Sequence, residues 1–406
     1  MTARTRPTRQ GLIVAVAGVA CGVIGRAFGV VELYLIATAL IAGVAVAWLA
    51  VLVRRPRIDV RRWIRPSVLT AGETGRVEVM VTNRAATLPP PFELIEPVGP
   101  SRTARMTVSH LPRRRPVSAG YRVPTERRGV LSVGPLTAVR TDVLGLAGSR
   151  HTVAGAEELL VSPRAHQLDI PELGNGVLGR HLLTLAQRLG TGEFHSLRDY
   201  VDGDEPRTVH WRASARSDQL KVRQHTVEGL RRVVVVLDQH DRPDTPAGEY
   251  DEPFERAVEI AASVVHSASE AGLTTRFVSS DGADVRGPDV GPHTLHLLAR
   301  IQPSQQPPVE VERDPGEGLG LVVVIASDPA AAPWRALARV HDPALTPVGV
   351  FTERLPSRPG PLVVDARSIG RFLADWGRLA GTRTGRRTWM PTGSDVDTWA
   401  LAGSTS

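Results

Sequence analysis

The sequence predicts a multi-domain protein: an N-terminal transmembrane helix hairpin, a β-sandwich of immunoglobulin type, and a doubly wound α/β domain. Three observations carry this reading. Two uncharged apolar runs occupy residues 11–25 and 33–53. Short alternating segments broken by prolines fill residues 57–165. From 231 to 380, strand-like and helix-like stretches alternate. A chain of 406 residues has room for all three.

The run at 33–53 is 21 residues long, and at about 1.5 Å per residue it covers roughly 31 Å, the hydrocarbon thickness of a bilayer. The first run is shorter. It spans if Arg26 snorkels to the far interface or if the bilayer thins. Helices are therefore expected at about 11–30 and 33–53, with Arg26 and Glu32 at the turn between them. Arginines 4, 6 and 9 precede the first helix, and arginines 54, 55, 57, 61, 62 and 65 follow the second. Positive charge stays inside, so both termini and the bulk of the chain are expected on the cytoplasmic side of the cell membrane, with the lipid bilayer as one partner. A cleaved signal peptide, or a lipoprotein-like site at Gly18 to Cys21, is the alternative for the first run. The second helix would then cross inward and keep the cytoplasmic placement.

The formal charge of +7 sits beside these runs. Residues 1–66 hold ten arginines and two acids, a net +8, which leaves −1 for the remaining residues. With no basic surface left over, no nucleic-acid partner is expected. All basic residues but Lys221 are arginine, which says little about function. The single cysteine, Cys21, permits neither an internal disulfide nor a thiolate metal site.

Residues 57–165 read as the sandwich. Val77-Glu78-Val79-Met80-Val81 alternates, and Thr82-Asn83-Arg84 reads as a turn. Prolines 89, 90, 91, 97, 100, 112, 116 and 124 cut the stretch into short pieces, and no useful helical period appears. Residues 166–230 then read as a connecting segment.

The most distinctive part of that segment is 192–224. Charges of both signs interleave there with Phe194, Tyr200 and Trp211. Such a mixture is costly to bury unless every charge is paired. Three readings stay open. Arg198, Arg207 and Arg216 could pair with Asp199, Asp202 and Asp204 and pin the connection onto the next domain. The segment could dock a partner protein through Trp211 and the arginines. Or the acidic cluster at 199–205, with His195 and His210, could bind a metal or work as acid and base, although no recognised ligand spacing is present.

Here the chain resembles a known family, the domain of unknown function number 58. Its signature is an aromatic followed by Leu-Arg-(Asp/Glu)-Tyr, then Gly-Asp-x-x-Arg, then Trp-(Lys/Arg)-x-(Ser/Thr)-Ala-Arg and Leu-x-Val. Phe194, Leu197, Arg198, Asp199, Tyr200, Gly203, Asp204, Arg207, Trp211, Arg212, Ser214, Ala215, Arg216, Leu220, Lys221 and Val222 match it in order. Glu126-Arg127-Arg128-Gly129 with Gly134-Pro135, and Asp142-Val143-Leu144-Gly145-Leu146, also look like the family, as does the helix hairpin. The resemblance covers most of residues 10–380. It implies partners of two kinds: MoxR-type AAA+ ATPases, and membrane proteins with transglutaminase-like domains. The chain itself has no phosphate-cradling glycine loop, so the ATPase would be another chain.

Independently of the resemblance, 231–380 reads as alternating strands and helices. Residues 232–238 and 319–326 are apolar β-branched runs, as for strands buried on both faces. Residues 254–271 carry Phe254, Val258, Ala261, Val264 and Val265 at helical spacing, ahead of Gly272. Further strands are expected at 273–278 and 346–351, and helices at 293–301, 333–340 and 368–379. The resemblance implies that this domain is similar to a von Willebrand factor A domain, which binds a divalent ion through Asp-x-Ser-x-Ser after its first strand. At that place stands Asp238-Gln239-His240-Asp241-Arg242, where Asp238 remains, both serines are missing and an arginine would repel a cation. No cofactor and no working metal site are expected. Asp281 and Asp328 follow strands and read as loop or cap residues. Residues 381–406 read as a loose tail.

Nothing in the chain places a nucleophile beside a base, so no enzymatic activity is expected. The functional expectation is a membrane-anchored cytoplasmic scaffold or adaptor. A metal-dependent protein-binding module of the von Willebrand A type and a hydrolase using the acidic cluster are the alternatives.

Overall fold

The computed structural model describes residues 4–53, 58–66, 69–85, 88–189, 192–201, 209–227, 229–239, 251–304, 318–337 and 342–381. The chain divides into two compact units, Met1–Arg164 with Pro292–Gln302, and Ala165–Gly291 with Pro303–Ser406.

In the first unit a short strand, β1 (Arg4–Pro7), leads into two helices, α1 (Arg9–Phe28) and α2 (Val31–Val53). Both are long and apolar enough to cross a membrane. Each starts two residues before the apolar run alone suggests, α1 because Thr8 supplies a cap and α2 because Glu32 suits a first turn. Glu32 lies in the first turn of α2 and Arg26 in the last turn of α1, where the helix dipole favours an acid and a base respectively. Thr8 caps α1, its hydroxyl accepting from the Gly11 N–H at 3.0 Å. Gly11, Gly18 and Gly25 form the buried side of α1, one every seven residues. A β-carbon at Gly18 or Gly25 would press on Ile41 or Leu33 of α2, so glycine sets how closely the two helices approach. The other faces are apolar and uncovered, with Leu12, Ile13, Leu35 and Val46 all exposed. A helix apolar on all sides suits lipid rather than water.

Ten strands follow: β2 (Ile58–Arg65), β3 (Leu69–Thr70), β4 (Gly75–Asn83), β5 (Phe92–Val98), β6 (Arg102–Val108), β7 (Pro116–Val123), β8 (Gly129–Val133), β9 (Leu136–Thr141), β10 (Ala147–Ala154) and β11 (Glu157–Ser162). They make two sheets. One is three-stranded, in the order β2-β4-β7. The other runs β1-β10-β9-β5-β8-β11-β3, with β6 on β5. The alternation of β4 puts Val77, Val79 and Val81 inward. They meet Leu94, Val98, Val133, Leu136 and Val161 of the larger sheet in one shared core. The two sheets are thus packed face to face. Arg128 donates to the carbonyls of Leu298 and Ile301, the latter at 2.8 Å, and so ties 292–302 to this unit.

In the second unit, residues 166–230 are more than a connection. They contain α3 (Gly176–Leu189), β12 (Gly192–Asp199), the single helical turn α4 (Trp211–Ser214) and β13 (Lys221–Val227). Next come β14 (Arg232–Leu237), α5 (Glu252–Glu270), β15 (Thr274–Ser279), β16 (Asp284–Val285), then α6 (Val290–Leu298), which from Pro292 on belongs to the first unit, and β17 (Gly320–Ala326), α7 (Ala332–Leu337), β18 (Leu345–Phe351), β19 (Val363–Asp365) and α8 (Ile369–Ala380). Their sheet runs β16-β15-β14-β17-β18-β19, parallel except for β16. Every residue of β14 and β17 is buried, the mark of strands covered on both faces. The chain leaves β14 in one direction for β15 and returns on its other side as β17. The crevice beyond their carboxyl ends is therefore the switch point of the sheet, where open α/β sheets place ligands.

The segment before α3 is strapped to this unit. The backbone N–H groups of His166 and Leu168 donate to the Ser263 and Ser267 hydroxyls of α5, both at 2.9 Å. His166 Nε2 meets Glu259 Oε1 at 2.7 Å, and the Trp376 indole of α8 donates to the Asp169 carbonyl at 3.0 Å. Gly176 approaches the Leu379 carbonyl so closely that a β-carbon would overlap it. Residues 382–406, expected as a loose tail, lie outside the described residues.

Candidate functional site

The densest signature residues fall on β12, α4 and β13. The strands pair antiparallel, with Asp199 opposite Lys221, Arg198 opposite Val222 and Leu197 opposite Arg223; the register shifts between Phe194 and Ser196. The Tyr200 N–H continues the ladder to the Leu220 carbonyl at 2.8 Å. Val209 bridges Val222 from the other side, so β13 lies between two strand segments. Val209 and Val222 are buried and anchor this small layer.

Local hydrogen bonds then fix α4. The His210 N–H donates to the Lys221 carbonyl at 2.7 Å, and His210 Nδ1 accepts from the Ala213 N–H at 3.0 Å. Accepting at Nδ1 leaves the ring proton on Nε2. Ser214 Oγ accepts from the Lys221 N–H at 2.8 Å and donates to the His210 carbonyl at 3.1 Å. This serine clips the helical turn onto the strand. Lys221 Nζ donates to Asp199 Oδ1 at 2.5 Å across the ladder. Asp199 and His210, the two described members of the suggested acid–base cluster, thus both serve to fix the hairpin.

Outside this frame the surface is apolar and basic. Trp211 is 66% exposed, and Leu197, Val201 and Leu220 are exposed as well. Arg212 and Arg216 are also exposed, and neither makes an ion pair among the described residues. Pairing of Arg216 with an acid, one part of the pinning reading, is therefore not seen there. What the bonds to α5 and α8 hold to this unit is residues 166–169. Phe194 and Arg198 lie on β12, but their side chains are outside the described part. Gly203, Asp204, Arg207, Asp202 and Glu205 lie outside the described residues altogether.

At the switch point, Asp238 follows β14 and is buried, its N–H donating to the Ile325 carbonyl at 2.9 Å. Gln239, also buried, bonds reciprocally with Asp281. Its amide reaches Asp281 Oδ2 at 3.3 Å, and its Oε1 accepts from the Asp281 N–H at 3.2 Å. Ser279 Oγ donates to the same carboxylate. Asp328 Oδ1 accepts from the Ala330 N–H at 2.6 Å. Asp281 thereby ties its own loop to the residue after Asp238, and Asp328 caps its own loop. His240, Asp241 and Arg242 lie outside the described residues. Among the described residues no group of three His, Cys, Asp or Glu side chains is placed to hold a metal ion. At the edge of the sheet, hydrogen bonds from Arg286 and Arg276 hold the Asp284 carboxyl well below the usual range.

Sequence reasoning missed the roles of His166, Ser263 and Ser267. A lone serine inside a helical pattern carries no mark that its hydroxyl will receive another segment's backbone.

The second half of β12, α4, β13, β14 and β17 together fall within one recognised stretch. Residues 196–340 match the family model described as Protein of unknown function DUF58. The DUF58 match supports that family for this part of the chain. No protein of curated function matched the chain. Solved structures give only distant likeness. The CARDB domain of a Pyrococcus furiosus protein, in complex with di-metal ions, shares 14% identity over 26% of this chain and 88% of its own, with a TM-score of 0.20. A Listeria innocua beta-glucosidase in complex with glucose shares 12% over 26% of this chain and 16% of its own, at 0.18. The Pseudomonas fluorescens alkylpurine DNA glycosylase AlkC shares 9% over 32% and 38%, at 0.18. At such scores the likenesses decide neither fold nor activity.

Proposed function

We propose that this protein is a membrane-anchored adaptor: α1 and α2 hold it in the bilayer, both termini lie in the cytoplasm, and the β12–α4–β13 layer docks a partner protein. The observation that carries the reading is Trp211, two-thirds exposed on a turn that hydrogen bonds of His210 and Ser214 hold to β13. An exposed indole among Leu197, Leu220, Arg212 and Arg216 has the composition of an interface anchor. Rigid support beneath it means little ordering cost on binding. The arginine excess flanking α1 and α2 supports the cytoplasmic placement. Resemblance to the family suggests a MoxR-type AAA+ ATPase as the docked partner and transglutaminase-like membrane proteins as further ones.

The two sheets of the first unit suit a spacer of immunoglobulin type. The second unit suits a von Willebrand A-like domain: counted within its own sheet, the strand order is 3-2-1-4-5-6 with the third strand antiparallel. A metal-dependent binding module is a second reading, favoured by the buried Asp238 at the switch point. Engagement of Asp281 with Gln239 and Ser279, and of Asp328 with its own loop, weighs against it.

The test is recovery of partners from native membranes with the full-length chain, its Trp211→Ala and Arg216→Ala variants, and mass spectrometry of what comes with each. The expected outcome is an AAA+ ATPase with the parent chain and its loss from both variants, at unchanged melting temperature. Equal recovery from parent and variants would remove Trp211 and Arg216 from the interface. Loss of recovery together with unfolding would make them structural residues instead.

A further inference from the structure

We propose that the turn joining β9 to β10, at residues 142–146, inserts Val143 and Leu144 into the cytoplasmic boundary of the lipid bilayer, as a third contact beside α1 and α2. The inference rests on the membrane reading of those helices.

The turn is attached to the helices below their first residues. The Thr8 N–H donates to the Leu146 carbonyl at 2.9 Å, and the Thr8 hydroxyl donates to the Gly145 carbonyl. Gly11, where the apolar run starts, lies so close to the Leu146 carbonyl that a β-carbon there would sit 1.9 Å from it. Leu146 and Ala147 share one apolar cluster with Val44, Ala47 and Val51 of α2, and Val14 and Ala15 of α1 pack against it. Val44 to Val51 is roughly 10 Å of helix. The base of the turn therefore lies alongside the cytoplasmic end of the apolar helices, at the level of the first turns of α1 and the last turns of α2.

At the tip, Val143 is 102% exposed and Leu144 67% exposed. They cannot fold back, because the turn is stiff. Asp142 Oδ2 accepts from the Leu144 N–H at 3.0 Å and Oδ1 from the Ala147 N–H at 2.6 Å. The Gly145 N–H donates to the Asp142 carbonyl at 3.0 Å, and Gly145 takes a φ of +70°, a conformation that glycine adopts freely. These bonds, with the two from Thr8, satisfy the N–H groups of Leu144 and Gly145 and the carbonyls of Asp142, Gly145 and Leu146. Lipid requires that of any irregular segment it touches; an aqueous loop has no such need.

The surroundings fit a lipid surface. Arg6, Arg9 and Arg150 are exposed on the adjoining β1, α1 and β10. β1 and β10 are paired, with Arg6 opposite Gly148 and Arg4 opposite Arg150. Basic side chains around an apolar tip suit anionic headgroups over acyl chains.

The experiment uses the full chain with Cys21→Ala, reconstituted in phosphatidylcholine–phosphatidylglycerol vesicles whose acyl chains carry bromine. An environment-sensitive fluorophore is attached in turn at Leu144→Cys, at Val143→Cys, and at Val46→Cys on the exposed side of α2. The expected result is blue-shifted emission and quenching by brominated lipid at 143, 144 and 46, with little quenching by aqueous iodide. If iodide quenches 143 and 144 while brominated lipid still quenches 46, the turn stands in water; the inference falls and the membrane anchor stands. If lipid quenches none of the three, the membrane reading falls and takes the inference with it. Shielding of 143 and 144 from both quenchers would mean protein covers the tip, which also overturns the proposal.

Discussion

Charges and aromatic side chains are mixed in two parts of this molecule, and the two parts use them in opposite ways. In the sandwich, Arg62 of β2 is buried against Glu96 of β5, which is 0% exposed, and Tyr121 of β7 donates to the same carboxylate at 2.7 Å. The Arg62 Nη1 that meets Glu96 also reaches the Val133 carbonyl at 3.3 Å, and Nη2 reaches the Gly155 carbonyl at 3.1 Å and Glu157 at 2.7 Å; Nε–H has no acceptor among the described residues. Arg62 and Tyr121 belong to one sheet and Glu96 to the other, so the network joins the two sheets through the core. In the signature layer, Trp211, Arg212 and Arg216 point into solvent, and the polar bonds lie beneath them in Ser214, His210 and the backbone. The same residue types serve cohesion in one place and presentation in the other. What separates them is whether each charge has been given a partner when water is removed.

The largest expected effect breaks the buried side. Glu96→Ala removes the buried carboxylate from Arg62, leaves it only Glu157, whose side chain is 60% exposed, and should cost up to about 3–5 kcal/mol of stability, read by urea unfolding of the full chain in detergent. The double change Arg62→Met with Glu96→Leu should recover most of that loss, because it removes both charges together. A double variant as unstable as Glu96→Ala would mean that the pair matters for geometry, not for charge balance.

Tyr121→Phe comes next. It removes one hydrogen bond to a buried carboxylate, worth about 1.5–3 kcal/mol. The same hydroxyl gives an alkaline signature. Burial and the Glu96 carboxylate push its pKa above the ordinary phenol value of 10.0. The folded state therefore holds a proton that the unfolded chain releases. Its contribution is complete below about pH 10 and declines as pH rises through that value. Parent stability should fall from pH 9 to about pH 11, and Tyr121→Phe should fall less. Equal falls would place the alkaline sensitivity elsewhere.

The comparison also marks what a sequence can disclose. The two apolar helices were legible because an uncharged stretch of bilayer length has few other uses, and β14 and β17 because β-branched runs buried on both faces carry no alternation to mistake. β1 was not. Arg4 and Arg6 read as flanking charge, and their pairing with β10 is a tertiary event. The edge strands β16 and β19 are two and three residues long, below any pattern. The α3 stretch was read as connection because its anchors, Gly176 against Leu379 and Asp169 against Trp376, are distant in the chain. In the signature the residue types were visible, but not their assignment. Trp211 and Ser214 lie three apart; only the hydrogen bonds distinguish the residue that builds from the residue that is offered.

That assignment yields the smallest effects and the sharpest contrast. Ser214→Ala removes the acceptor for the Lys221 N–H and should cost about 1 kcal/mol. Trp211→Ala removes a large side chain already in solvent, and should change stability by no more than about 0.5 kcal/mol. The larger residue should thus matter less to folding and more to recovery of a partner. Unfolding curves of the two variants, set beside their pull-downs, test both halves at once. If Trp211→Ala costs as much stability as Ser214→Ala, the indole is part of the fold, and the distinction between buried cohesion and exposed presentation fails at its best-defined residue.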